Sequence, residues 1–418
     1  MTKTKPTHPL HFGSGTVIVA TIIVTLGTLL FSGSWIGWDL TWRSFGVTPL
    51  HPYFFDMHAL TDHVACAKQG FNPYELNTCD PLLPFNYPPI WLWLSHLGID
   101  GTDSAWLSIL MTVAALAVLV KLLKGRSIGD GVFASLAILS PSMMMGVERG
   151  NIDLLILAMV GGAALLVAEY RPVRMACAAA LVSVAVVLKL YPVFCTALAA
   201  RLNRGTLFFA VAVAAVSLVY FTAISGYLPV IRTNTPTTFL LSYGYKVPFL
   251  GVDQLAAEAH LGPAGLANTW LPITLTILTL ILAAATAACM FRQGSFYCAV
   301  TNGVAGTAFL FGAGIYCGAY MLGSNFTYRL TFLLLCLPQI LDWRRKLRNS
   351  DLTAGIAHAL LIAVLAVLWL NGNATFMFVP QLIDWILIFG LTTILLLNLL
   401  RGAGHGWAVL PFAKRNRG

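Results

Sequence analysis

Asp56, His58, Asp62 and His63 crowd into one short stretch whose side chains can take up and release protons. They sit in a polar island, Pro52 to Pro89, that also holds Lys68, Glu75, Asp80, Cys66 and Cys79. Two turn-forming runs follow them, Gly70-Phe71-Asn72-Pro73-Tyr74 and Asn86-Tyr87-Pro88-Pro89. If residues 54–68 are helical, Asp56 and His63 share one face and His58 and Asp62 another. A carboxylate just beyond a membrane span suits a general base that deprotonates a hydroxyl. The same Asp56 could instead be a first-turn acid that steadies a helix start. His58, Asp62 and His63 could meet at a metal, but no further ligand stands at a characteristic distance. A hydrogen-bonded His–Asp pair is the better reading, and neither metal nor cofactor is expected.

A second group of charges lies against or inside apolar sequence. Glu148-Arg149-Gly150-Asn151-Ile152-Asp153 falls at the junction of two apolar segments. Ionisable groups at that depth are costly and usually functional. They could also form a self-neutralising turn, with Arg149 paired to Glu148 or Asp153 and Asn151 capping the next helix. Lys189 in VAVVLKLYPVF and Arg329 in SNFTYRLTFLLL are single cations in apolar surroundings. Snorkelling would account for Arg329. Fixed cations opening toward one face would suit a phosphate or pyrophosphate, which Arg binds bidentately.

These residues must be held by a membrane bundle. The 418-residue chain is 58% hydrophobic and 10% charged, with a mean hydropathy of +0.79. That excludes an ordinary soluble enzyme, whose charged share is about 25%. Spans need about 20 apolar residues. Candidates lie at about 15–32, 104–123, 130–147, 151–169, 174–199, 205–224, 269–290, 296–321, 326–341, 353–371 and 380–400. The reading is an all-α polytopic bundle of about 11 spans, one domain over 1–418, with outer loops at 33–103 and 225–268. No small-x-small cleavage site follows the first apolar run, so it reads as an uncleaved span. The net charge of +9 reads as a topology signal rather than nucleic-acid binding. Most cations, from Lys3/Lys5 to Arg344/Arg345/Lys346/Arg348, fall on one side if the segment 174–199 breaks at Lys189-Leu190-Tyr191-Pro192 and returns. That side is expected to be cytoplasmic, and the polar island faces outward.

Cys66 and Cys79 are the two cysteines outside apolar segments. Facing outward, they are expected to form a disulfide, worth roughly 3 kcal/mol for a loop of that length. The other six read as small apolar fillers in spans.

Asp56, the Gly70–Tyr74 run, Asn86-Tyr87-Pro88-Pro89, Gly150-Asn151-Ile152-Asp153 and Lys189-Leu190-Tyr191-Pro192 together resemble glycosyltransferase family 87. The resemblance runs over about residues 50–200. It implies a GT-C fold and transfer of a sugar from a polyprenyl-phosphate donor, with mannose the sugar of the well-understood members. It also implies that Asp56 is the general base. Asp56-Met57-His58 departs from the family's aromatic sequence after its acid, which keeps Asp62 open as the base.

The expected activity is inverting hexosyl transfer to a lipid or glycan acceptor at the outer face of a bacterial-type inner membrane. Arg149, Lys189 and Arg329 are the candidate phosphate ligands. His58, His63, Asn151, Tyr74, Tyr87 and Trp91 are candidates for contacting substrate. The rivals are a carrier or flippase of a lipid-linked or anionic solute, which would also use midplane cations and broken helices, and a membrane scaffold.

Overall fold

The computed structural model describes residues 13–76, 83–124, 127–167, 171–262, 265–294, 298–346 and 351–408. Among them the chain is mostly helical, and the one sheet is the antiparallel pair of Ser242–Tyr243 with Asn325–Phe326. Five helices are long and apolar enough to cross a bilayer: Gly15–Ile36, Gly101–Leu123, Arg204–Ala223, Leu271–Arg292 and Val379–Ala403. The pair Ile128–Ile138 and Pro141–Arg149, bent by 50°, makes a sixth if taken as one broken span. Pro141 supplies no backbone donor there, and Ser140 caps the second half by accepting from the Met143 N–H. Asp153–Val167, Pro172–Leu188, Val304–Tyr320 and Ala354–Leu370 are shorter apolar helices. The protein is a polytopic all-α membrane protein. The expected segment 326–341 is divided, into a 3-10 helix Thr327–Leu335 and a helix that starts at Leu337.

The segment around Lys189 is broken. Helix Pro172–Leu188 stops where Lys189 turns extended, at φ −156° and ψ 106°. A 3-10 helix, Tyr191–Arg201, follows with Pro192 in its first turn. Met175, near the start of the first arm, packs against Gly205, just beyond the end of the second. The two arms therefore leave one end of the bundle and come back to it. Gly314 and Gly318 on Val304–Tyr320 let the returning arm approach closely: a Cβ at Gly318 would lie 2.1 Å from the Phe194 ring.

Charges mark the two ends of the bundle. At one end the fully buried Asp130 accepts from Arg344 at 2.8 Å and Arg345 at 3.0 Å. Arg201 at the same end donates to the Thr307 hydroxyl and the Thr301 carbonyl. At the other end lie Asp56, Asn151, Lys189 and Arg329.

The stretch between the first two long helices is tied to this second end. Trp91 donates its indole N–H to the Leu188 carbonyl at 2.9 Å, at the helix break. Phe54 adopts a left-handed conformation, φ 58°, and its N–H bonds the Glu148 carbonyl at 3.1 Å. That bond sets the start of helix Phe55–Lys68 against the end of helix Pro141–Arg149. Cys66 on that helix is disulfide-bonded. Its expected partner, Cys79, lies outside the described residues, as does Asp80.

Candidate active site

Asp56 lies in the first turn of helix Phe55–Lys68. Its bond runs across the bundle rather than to its own helix end: Oδ2 accepts from the Asn151 side-chain amide. Asn151 is fixed in that sense, because its Oδ1 already accepts from the Asp153 N–H at 2.9 Å and from Lys189 Nζ at 3.1 Å. Gly150 makes the turn possible. It closes the preceding helix at φ +58°, and a Cβ there would meet the Ser108 hydroxyl at 2.1 Å.

Lys189 pairs with Asp153, whose other oxygen accepts from Arg329 Nε at 3.2 Å. Arg329 also donates to Asn325 and stacks over the Tyr191 ring, 4.3 Å from its centroid. Lys189 Nζ sits 5.3 Å from the Tyr87 ring centroid and 5.7 Å from that of Tyr328. Asp56, Asn151, Lys189, Asp153, Arg329 and Asn325 thus form one chain of polar contacts. A single buried carboxylate, Asp153, answers two largely buried cations.

A cavity of about 300 Å³ opens beside this chain. Asp56 and Arg149 both line it, with His63, Tyr87, Tyr328, Asn234 and the apolar Phe55, Phe85, Leu241 and Phe326. Arg149 bonds Glu148 through Nε at 3.0 Å, and Glu148 in turn accepts from the Leu50 N–H. Among the described residues, the two terminal guanidinium nitrogens of Arg149 meet no partner. Asp56 and Arg149 face the same space without bonding each other. Burial pushes the Asp56 carboxyl above its ordinary range, and Arg149, the Asn151 hydrogen bond and Lys189 pull it back. Chemically, the cavity brings a carboxylate able to take a proton near a cation able to hold an anionic group.

The other candidates from the sequence are distributed around this centre. His58 pairs with Asp62 at 2.7 Å on a partly exposed face, and neither lines the cavity. His63 is buried, with its ring nitrogens within reach of the Ala59 and Leu83 carbonyls. His63 therefore does not converge with the His58–Asp62 pair. Lys189 and Arg329 lie behind the cavity lining. Tyr87 lines the cavity, whereas Tyr74 braces the loop by donating to the Tyr87 carbonyl at 3.0 Å. Trp91 holds the helix break. Two participants carry too weak a signal in the sequence: Tyr328 is a neighbour of the more conspicuous Arg329, and Asn234 lies in an unremarkable RTNTPTT run.

Comparison with protein families matches residues 85–312, more than half of the chain, to glycosyltransferase family 87. The matched stretch contains Tyr87, Arg149, Asn151, Asp153, Lys189 and Asn234, while Asp56 and Arg329 lie on either side of it. No curated protein and no solved structure matches the chain.

Proposed function

The chain belongs to glycosyltransferase family 87, and from that premise we propose that it moves a hexose, mannose in the first instance, from a polyprenyl-phosphate donor to a lipid or glycan acceptor. The reaction takes place at the extracytoplasmic face of a bacterial-type inner membrane. One transmembrane unit, 1–418, carries the site between its outer loops, 33–103 and 225–268. The observation that carries this reading is that Asp56 and Arg149 line one cavity without pairing to each other.

In the proposed step, the free oxygen of Asp56 takes the acceptor's hydroxyl proton as that oxygen attacks the anomeric carbon. The bond from the anomeric carbon to the phosphate oxygen breaks, and its electron pair leaves with the phosphate. Attack from the face opposite the leaving group inverts the anomeric centre. No covalent intermediate is needed, because the leaving phosphate departs as an anion. The terminal nitrogens of Arg149 hold that phosphate bidentately. Lys189 and Arg329 supply positive charge behind it, fixed by Asp153. Tyr87 and Tyr328 wall the sugar, and His63 stands at the cavity edge. Tyr74 supports Tyr87 from outside. Asp62, paired with His58 away from the cavity, is the second candidate base.

The donor is tested with purified protein in liposomes that hold a radiolabelled polyprenyl-phosphate mannose and a membrane-lipid extract as acceptor. The expected outcome is label on a new product, with the anomeric configuration inverted, and no transfer when a sugar nucleotide replaces the lipid donor. Movement of the labelled lipid across the bilayer without any transfer would replace the enzyme reading with a carrier.

A further inference from the structure

The cavity wall is assembled from two loops far apart in sequence, and one side chain joins them. Asn234 ends the short helix Leu228–Asn234 in the second outer loop. Its amide nitrogen donates to the Tyr74 carbonyl and to the Phe85 carbonyl, each at 3.0 Å. Both acceptors belong to the first outer loop. There the Phe85 N–H bonds the Pro73 carbonyl at 2.8 Å, and the Tyr74 hydroxyl bonds the Tyr87 carbonyl. The Tyr74 ring also packs against Tyr227, one residue before the Asn234 helix, at a centroid distance of 5.1 Å.

These contacts fix the orientation of the amide. Two carbonyls can only be met by its NH2 group, so the amide cannot be flipped. The polar atom left over is Oδ1. Asn234 itself lines the cavity with Asp56, and Oδ1 has no partner among the described residues and is not sealed from solvent. An acceptor on a side chain that lines one cavity with Tyr87, Phe85 and Tyr328 is matched to a hydroxyl donor.

We propose that Asn234 is a specificity-determining residue of the sugar site. Its NH2 group ties the second outer loop to the first, and its Oδ1 accepts a hydrogen bond from one hydroxyl of the transferred sugar. This rests on the glycosyltransferase reading given above. A site built to bond a hydroxyl rejects an analogue that lacks it, because the acceptor is then left unmet.

The experiment compares wild type with Asn234→Ala and Asn234→Asp, using the intact polyprenyl-phosphate hexose and its series of monodeoxy analogues. In wild type, one deoxy analogue is expected to lose about tenfold or more in kcat/KM. In Asn234→Ala that same analogue should be used about as well as the parent sugar. Asn234→Asp keeps an acceptor at the rim and loses the donors, so it should retain part of the discrimination while loosening the wall. Hydrogen exchange at the Phe85 amide reports the tie without any turnover, and should quicken in both variants. Discrimination in Asn234→Ala equal to wild type would overturn the sugar-reading role, and unchanged exchange would overturn the tie. Faster exchange in both variants of a protein that transfers no hexose would leave the tie standing and reject the proposed hexosyl transfer instead.

Discussion

Asp56 is the proposed base, and its surroundings set its pH behaviour. Burial holds its carboxyl above the ordinary range, and a base works only when deprotonated. Activity should therefore fall, as pH is lowered, at a higher pH than an exposed carboxylate would give. Asn151→Ala removes a hydrogen bond that favours the charged form. Its acidic limb should move further toward alkaline pH, with the plateau rate largely kept. A limb that stayed in place or moved down in a kcat/KM profile would refute this role for Asn151. Asp153→Asn removes the one anion between Lys189 and Arg329 and should destabilise by about 3–5 kcal/mol, read from unfolding in detergent. Asp56, Arg149, Lys189 and Arg329 could be read in the sequence because ionisable groups stand out against apolar surroundings. Asn234 could not. It is uncharged, and its partners at Tyr74 and Phe85 lie about 150 residues away, so only folding brings them together.

Helices depend here on how closely they can pack. Gly318→Ala would press a methyl into the Phe194 ring of the returning arm, and should destabilise by about 1–3 kcal/mol. Gly355, also helical but with open space around it, is the control: Gly355→Ala should be neutral or slightly stabilising. Equal losses in the two variants would remove the close-packing argument. Apolar run length found Ser104–Leu123 at its observed ends and Arg204–Ala223 to within a residue, but stopped short of Ile36 in the first span and of Ala408 in the last. The break at Lys189 was legible because Pro192 cannot continue a helix and because the cation distribution required a return. Hydropathy could not reveal that Thr327–Leu335 and Tyr191–Arg201 are 3-10 rather than α-helical. Nor could it reveal the bend before Pro141. Hydropathy averages over residue types and does not register the proline and serine that break the helix at Ser140-Pro141.

At the scale of the whole molecule, the bundle separates a basic end, with Arg201, Arg344 and Arg345 on fixed partners, from an end that holds the cavity. The proposed orientation puts the cavity outside. In a background lacking the exposed Cys177 and Cys289, an impermeant maleimide should label Phe71→Cys on intact cells. It should label Arg292→Cys only after permeabilisation, and the reverse pattern would invert the topology. In the proposed reaction the Asp56 carboxylate at this end, on helix Phe55–Lys68 beyond the first span, deprotonates the sugar acceptor. The most direct test is single-turnover transfer from the polyprenyl-phosphate hexose by wild type and by Asp56→Asn, with thermal unfolding and donor binding measured on the same samples. The amide keeps the shape but cannot take the proton, so the rate should fall by roughly a hundredfold or more while stability and donor binding stay near wild type. A variant that folds, binds donor and transfers sugar at the wild-type rate would contradict the claim.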